Sequence, residues 1–235
     1  MSSFDKSFVT CYETCTMPVD DETWEALWSA ICELSDLFPD GLVFIGGIAV
    51  YLHARQARLA PWGVEFSHDG DFYVSLADFS DLRDIEEVTA NRRLNKHQFI
   101  KNGLEFDVYL EHNNGLRVPY ADAWSRSSII DRVRAASLEH LLLLKLDAYA
   151  DRKASAKGRK DERDLIRIAH ILAHGRVHKV WLEPYVTAED VRLMTGALRS
   201  TEFVSMTQNV QQASRLRKDF RKVLDMVHEI VEKNR

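Results

Sequence analysis

A strand that breaks on two glycines, then a helix-like segment, then a strand with two aspartates one residue apart: this order limits the fold of the chain more than any other feature. Leu42-Val43-Phe44-Ile45 is a short apolar run of buried-strand type, and Gly46-Gly47 separates it from the helix-like Ile48-Ala49-Val50-Tyr51-Leu52-His53-Ala54. Glycines at such a junction let backbone N–H groups at a helix start approach an anion closely, as a triphosphate requires. Downstream, Ser67-His68-Asp69-Gly70-Asp71-Phe72-Tyr73-Val74 reads as the next strand. Alternate side chains of a strand share a face, so Asp69 and Asp71 are expected to project together, about 7 Å apart. That spacing suits a divalent cation. Gly70 lies between them, and a glycine inside a strand weakens it or marks a bulge that would break the alternation.

A third acidic strand follows in Gly103-Leu104-Glu105-Phe106-Asp107-Val108-Tyr109-Leu110, entered through a hairpin turn at Asn102-Gly103. Leu104, Phe106, Val108 and Leu110 take one face, and Glu105, Asp107 and Tyr109 take the other. The apolar face packs on helices while the carboxylates face a cleft, which brings Asp107 beside Asp69 and Asp71. Three carboxylates on one face repel one another by several kcal/mol unless a cation offsets them. Magnesium, octahedral and bound by oxygen, is the expected occupant.

Ser137 reads as the N-cap of a helix running through Leu141-Leu142-Leu143-Leu144-Lys145-Leu146-Asp147 to Arg152, followed by Lys157-Gly158-Arg159-Lys160-Asp161-Glu162-Arg163-Asp164-Leu165. Lys145 lies in an almost wholly apolar stretch, where its charge needs either a route to solvent along its own stem or an anionic partner such as a phosphate or Asp164.

In this order of elements the chain resembles the DNA polymerase beta-like nucleotidyltransferases. Within that superfamily the lysine-bearing helix and the Lys160-Asp161-x-x-Asp164-Leu165 stretch are similar to the AbiEii and MenT-type nucleotidyltransferases, toxins of type IV toxin-antitoxin systems. The resemblance covers roughly residues 43–172 and implies an α+β fold, a nucleotidyltransferase-type mixed sheet flanked by helices with a C-terminal helical bundle. It also implies transfer of NMP from an NTP to an acceptor hydroxyl, with tRNA as the first RNA acceptor to consider and a cognate antitoxin as partner. Carried across residue by residue, Asp69, Asp71 and Asp107 are the ligands of Mg²⁺ or Mn²⁺. Asp107 is also the candidate base, Gly46-Gly47 the phosphate turn and Ser67 the hydroxyl of the toxin group. Lys145 and Arg152 meet the nucleotide, and Asp161 or Asp164 orients Lys145 or the base. Gly47 stands where many members carry serine. Two other readings stay open. One is an aminoglycoside-type adenylyltransferase, a branch that also places a histidine before its Asp-x-Asp as His68 stands here. The other is a catalytically silent binding module of the same fold.

The chain is 235 residues long and 46% hydrophobic, enough for one large or two small domains, divided here as a sheet domain over 1–136 and a helical domain over 137–235. Strands and helices alternate from Leu42 to about Arg134. A helix capped by Asp20 or Asp21 carries Trp24, Leu27, Trp28, Ile31 and Leu34 as a core stripe, and helices are expected over 137–155, 160–174, 188–198 and the final segment. No apolar run reaches the roughly 18 residues of a membrane span and no leader is evident, so the reading is a cytoplasmic protein. Cys11, Cys15 and Cys32 read as free thiols.

A net charge of −5 argues against a general nucleic-acid coat. Locally, Arg152, Lys153, Lys157, Arg159, Lys160, Arg163 and Arg167 form a basic stretch suited either to phosphates or to balance by Asp151, Asp161, Glu162 and Asp164. His170, His174 and His178 are spaced by four, but Gly175 is expected to end their helix, which favours ordinary surface or half-buried histidines over a metal site.

Overall fold

The computed structural model describes residues 21–59, 65, 67 and 69–234. Asp20, Cys11, Cys15, the Pro61-Trp62-Gly63 stretch and His68 lie outside the described residues. The chain opens with α1 (Asp21–Leu37), whose Leu27, Ile31 and Leu34 are fully buried, as the stripe at helical spacing predicts. Next come β1 (Leu42–Ile45), α2 (Gly46–Gln56), β2 (Gly70–Val74) and α3 (Leu76–Ile85), the last capped by the Ser75 hydroxyl, which accepts from the Asp78 N–H. Three short strands follow, β3 (Thr89–Asn91), β4 (Lys96–Lys101) and β5 (Leu104–Leu110), then α4 (Tyr120–Ser125), β6 (Ser128–Ile130) and β7 (Val133–Ala135). The remainder is helical: α5 (Leu138–Arg152), α6 (Ala156–His174), α7 (Lys179–Leu182), α8 (Ala188–Ala197), α9 (Glu202–Ser205) and α10 (Val210–Lys233).

The seven strands form one mixed sheet in the order β3-β4-β5-β2-β1-β7-β6. In its centre, β1 and β2 run antiparallel and β2 and β5 run parallel, with Asp71 level with both Ile45 and Asp107. Asn102 and Gly103 both hold positive φ, 55° and 77°, and form the two-residue turn between β4 and β5 that Asn-Gly announces. The α+β class, the mixed sheet and the C-terminal helices thus match the expectation.

Each face of the central strands has its own chemistry. Phe44, Phe72, Phe99 and Phe106 meet in one aromatic cluster, with the Phe99 and Phe106 rings stacked 5.1 Å apart. The alternate positions, Asp71, Tyr73, Asp107 and Tyr109, face the other way. Gly70 is needed on the aromatic side, where a Cβ would stand 2.4 Å from the Phe106 ring. It opens β2 without a bulge, in unbroken register from Gly70 opposite Phe106 to Val74 opposite Leu110. The hydrophobic core is continuous, from Leu27 of α1 through the sheet to Ile230 of α10.

Ser137 and Ser155 cap α5 and α6 with their hydroxyls, and α6 starts four residues earlier than the basic run suggested. Gly175 ends it as expected, its N–H donating to the Ile171 carbonyl.

Candidate active site

The helix after β1 starts on Gly46, not after it, and the reason lies across the sheet. Gly46 has φ +63°, and a Cβ there would fall 2.1 Å from Asp71 Oδ2. The first glycine therefore supplies both a left-handed turn and the space in which the Asp71 carboxylate lies against the start of α2. Gly47 is matched to a different neighbour: its Cβ would sit 2.6 Å from Ser67 Oγ and 3.5 Å from the Lys160 ammonium. Serine at this second position would crowd the Ser67 side chain, which is a physical reason for the Gly-Gly form of the turn.

Asp69 does not belong to β2. It lies in the bend before Gly70, so strand alternation does not set its direction, a correction to the shared-strand picture. Its position is fixed instead by the Ser67 hydroxyl, which donates to Asp69 Oδ1 at 2.9 Å, and by the nearby Lys160, whose Nζ is 3.4 Å from Ser67 Oγ. Burial works against the Asp69 charge, but Lys160, Ser67, Lys157 and Lys145 outweigh it and hold the carboxyl below its ordinary pKa.

Asp107 sits level with Asp71 on the neighbouring strand and is engaged by Lys96, with Gln98 Nε2 donating to its Oδ1 at 2.9 Å. Neither Lys96 nor Gln98 stands out in the sequence; only the register of β4 against β5, which pairs Gln98 with Asp107, brings them in. Asp71 is left with the least counter-charge of the three. Burial, Asp69 and Asp107 push its pKa up to about 6 against the pull of Lys145 and Lys96.

Among the described residues, the aspartates are not a group whose oxygens all lie within 4.8 Å of one another. Lys160, Lys157, Lys145 and Lys96 supply positive charge to Asp69 and Asp71. The donor set is all oxygen, as Mg²⁺ or Mn²⁺ requires, and the raised Asp71 pKa marks negative charge that a cation would offset. The residues fit such an ion in type and charge.

Behind the carboxylates stands a buried ion network built on α5 and α6. Lys145 Nζ lies 2.7 Å from Asp164 Oδ2 and 3.3 Å from Asp161 Oδ1. Arg152 pairs with Asp161 at 2.6 Å, and Arg167 bridges Asp164 at 3.0 Å and Glu65 at 2.7 Å. Burial would lower the Lys145 pKa, but Asp164 and Asp161 outweigh it and raise it. Lys145 is therefore resolved as an ammonium between two carboxylates, and Asp161 and Asp164, expected to orient it, do contact it. Arg152 is committed to Asp161 through its Nε and Nη2 while contributing positive potential near Asp69 and Asp71. Of the basic stretch, Arg163 is bound to Glu65 and Glu202, whereas Lys153, Lys157 and Arg159 at the α5–α6 turn are exposed.

No protein-family profile matches this chain, and no curated protein matches it. Among solved structures it is similar to JHP933 from Helicobacter pylori, at 13% identity and a TM-score of 0.45 over 92% of this chain and 94% of that one. It is similar to an antigenic nucleotidyltransferase-like protein from Paracoccidioides brasiliensis, at 15% identity and a TM-score of 0.48 over 86% and 95% of the two chains. The antibiotic-resistance factor ANT(2'')-Ia is a third, at 17% identity and a TM-score of 0.40 over 89% and 97%. Among the described residues, no helix is long and apolar enough to cross a membrane.

Proposed function

We propose that this chain is a metal-dependent nucleotidyltransferase that moves NMP from an NTP to an acceptor hydroxyl on RNA, tRNA first among candidates, and acts as the toxin of a toxin-antitoxin pair. The observation that carries the reading is the fit of Gly46 against Asp71, with Asp107 in register beside it: a glycine turn opening a helix directly over paired carboxylates. Asp69, Asp71 and Asp107 would hold Mg²⁺ or Mn²⁺, which when bound offsets the charge of the carboxylates and phosphates.

In this reading the N–H groups at the Gly46-Gly47 turn and the Lys160 ammonium beside it receive the triphosphate. Lys145 and Arg152 act from behind, supplying positive potential while their donors stay on Asp161 and Asp164. The acceptor oxygen attacks the α-phosphorus as its proton passes to Asp107. The bond from that phosphorus to the bridging oxygen breaks, and pyrophosphate leaves. Lys157, exposed in the first turn of α6, adds positive potential at Asp69, which favours a polyanionic acceptor over a cationic amino sugar.

Incubation of the full chain with each labelled NTP and Mg²⁺, with total tRNA in one arm and an aminoglycoside panel in the other, tests this. Label in tRNA is the expected result. Label in the antibiotic would replace the acceptor and keep the chemistry; label in neither, with no nucleotide binding, would leave the fold as a binding module.

A further inference from the structure

The far end of α6 holds a second cluster of ligating side chains, remote in sequence from the carboxylates of the sheet. His170 and His174, one turn apart, both aim at Asp219 of α10: His170 Nδ1 and His174 Nε2 each lie 2.9 Å from Asp219 Oδ2. Their rings are 4.9 Å apart, and the three ligand atoms all lie within 4.8 Å of one another. His178, past the Gly175 cap, stacks on Trp181 instead and takes no part. The i, i+4 spacing was legible in the sequence; the carboxylate that completes the set was not, because it arrives from another helix.

We propose that His170, His174 and Asp219 form a site for a divalent metal of the zinc class. Two imidazoles with one carboxylate are a borderline donor set that selects Zn²⁺, Co²⁺ or Ni²⁺ over Mg²⁺ or Ca²⁺. Ligand atoms about 2.0–2.1 Å from a tetrahedral ion stand about 3.3 Å apart, so the 2.9 Å contacts need widen by only a few tenths of an ångström. The His174 side chain is 59% exposed, which leaves the fourth position to water, while Asp219 is buried and tied by Lys222 through its other oxygen at 3.2 Å. Because α6 also carries Lys160, Asp161 and Asp164, the ion would fasten α10 to the helix that backs the carboxylates. The site stands whether or not the chain transfers nucleotides.

Titration of the tag-free full chain with Co²⁺, read by visible d–d absorption, tests it. One equivalent is expected to give the strong d–d band of a four-coordinate nitrogen and oxygen site, distinct from weakly absorbing six-coordinate Co²⁺ on the sheet carboxylates, to be displaced by Zn²⁺, and to raise Tm. His174→Gln keeps a donor for Asp219 but ligates poorly; it should weaken binding at least about tenfold, the smallest penalty typical of disturbing a metal site, and abolish the rise in Tm. Asp71→Asn should leave the band unchanged. The proposal is overturned by equal binding in wild type and His174→Gln, by a thiolate charge-transfer band, or by loss of the band in Asp71→Asn.

Discussion

Replacing Lys145 with methionine separates the two jobs this residue could hold. The ammonium sits between Asp164 at 2.7 Å and Asp161 at 3.3 Å, and the three side chains are 8%, 4% and 1% exposed. Removing one partner of a buried pair leaves an uncompensated charge and typically costs 3–5 kcal/mol. Here Arg152 remains on Asp161 and Arg167 on Asp164, so the lower end applies, about 3 kcal/mol. For a chain of 235 residues this corresponds to a fall in Tm of about 6–12 °C, measurable by scanning calorimetry. The double variant Lys145→Met/Asp164→Asn removes the stranded charge as well, and Arg167 keeps Glu65 at 2.7 Å. It should recover about half the loss, read as a coupling energy in the double-mutant cycle. A fall in Tm below about 2 °C for the single variant, or no recovery in the double, would refute the view that the pairs hold α5 to α6. If the double variant regained wild-type NTP binding, Lys145 would be a support for the fold and nothing more.

Gly46→Ala adds a Cβ 2.1 Å from Asp71 Oδ2 at φ +63°, and left-handed strain with overpacking should lower stability by about 2–4 kcal/mol and abolish transfer, checked by urea unfolding and label incorporation. Asp71→Asn should remove activity while raising stability by about 1 kcal/mol at neutral pH without added metal, since it removes the buried charge whose pKa desolvation first, then Asp69 and Asp107, push up to about 6; a loss of stability would count against this reading. His140 gives a pH signature: burial, then Arg126, pushes its pKa down to about 4 against Asp122, so the unfolded chain takes up the proton first as pH falls. Its contribution is complete above about 6.5 and is lost between about 6.5 and 4, up to about 3 kcal/mol, and His140→Phe should flatten that limb of the Tm–pH curve.

What the sequence reveals of this molecule is what local chemistry encodes. The Asn102-Gly103 turn, the alternation along β5, the Ser137 cap and the Gly175 stop each act within a few residues and appear where the pattern places them, and the Gly46-Gly47 pair ends β1 as expected while itself opening α2. Lys145 amid leucines called for either a route to solvent or an anionic partner, and Asp161 and Asp164 supply the second. The misreadings are long-range. Asp69 falls outside β2 because Ser67 and Lys160 hold it, and Lys96 and Gln98 reach Asp107 only through strand register. Gly70 looked like a flaw in the strand, yet it makes room for Phe106, a ring on the neighbouring strand that no local window contains.

The long-range part has a single organiser, the surface of α6. Lys160, Arg163 and Arg167 stand at i, i+3 and i+7, one stripe of a helix, and all three reach back to the segment that enters β2. Lys160 meets Ser67, while Arg163 and Arg167 clasp Glu65 at 2.8 and 2.7 Å. Burial works against the Glu65 charge, but the two arginines outweigh it and pull its pKa down to about 2. Asp161 and Asp164, on an adjoining stripe, turn instead to Lys145 of α5. The segment that carries Asp69 is therefore held by a helix about ninety residues later in the chain, through a basic stripe that reads in sequence as suited either to phosphates or to balance by nearby acids, and that in three dimensions binds Ser67 and Glu65.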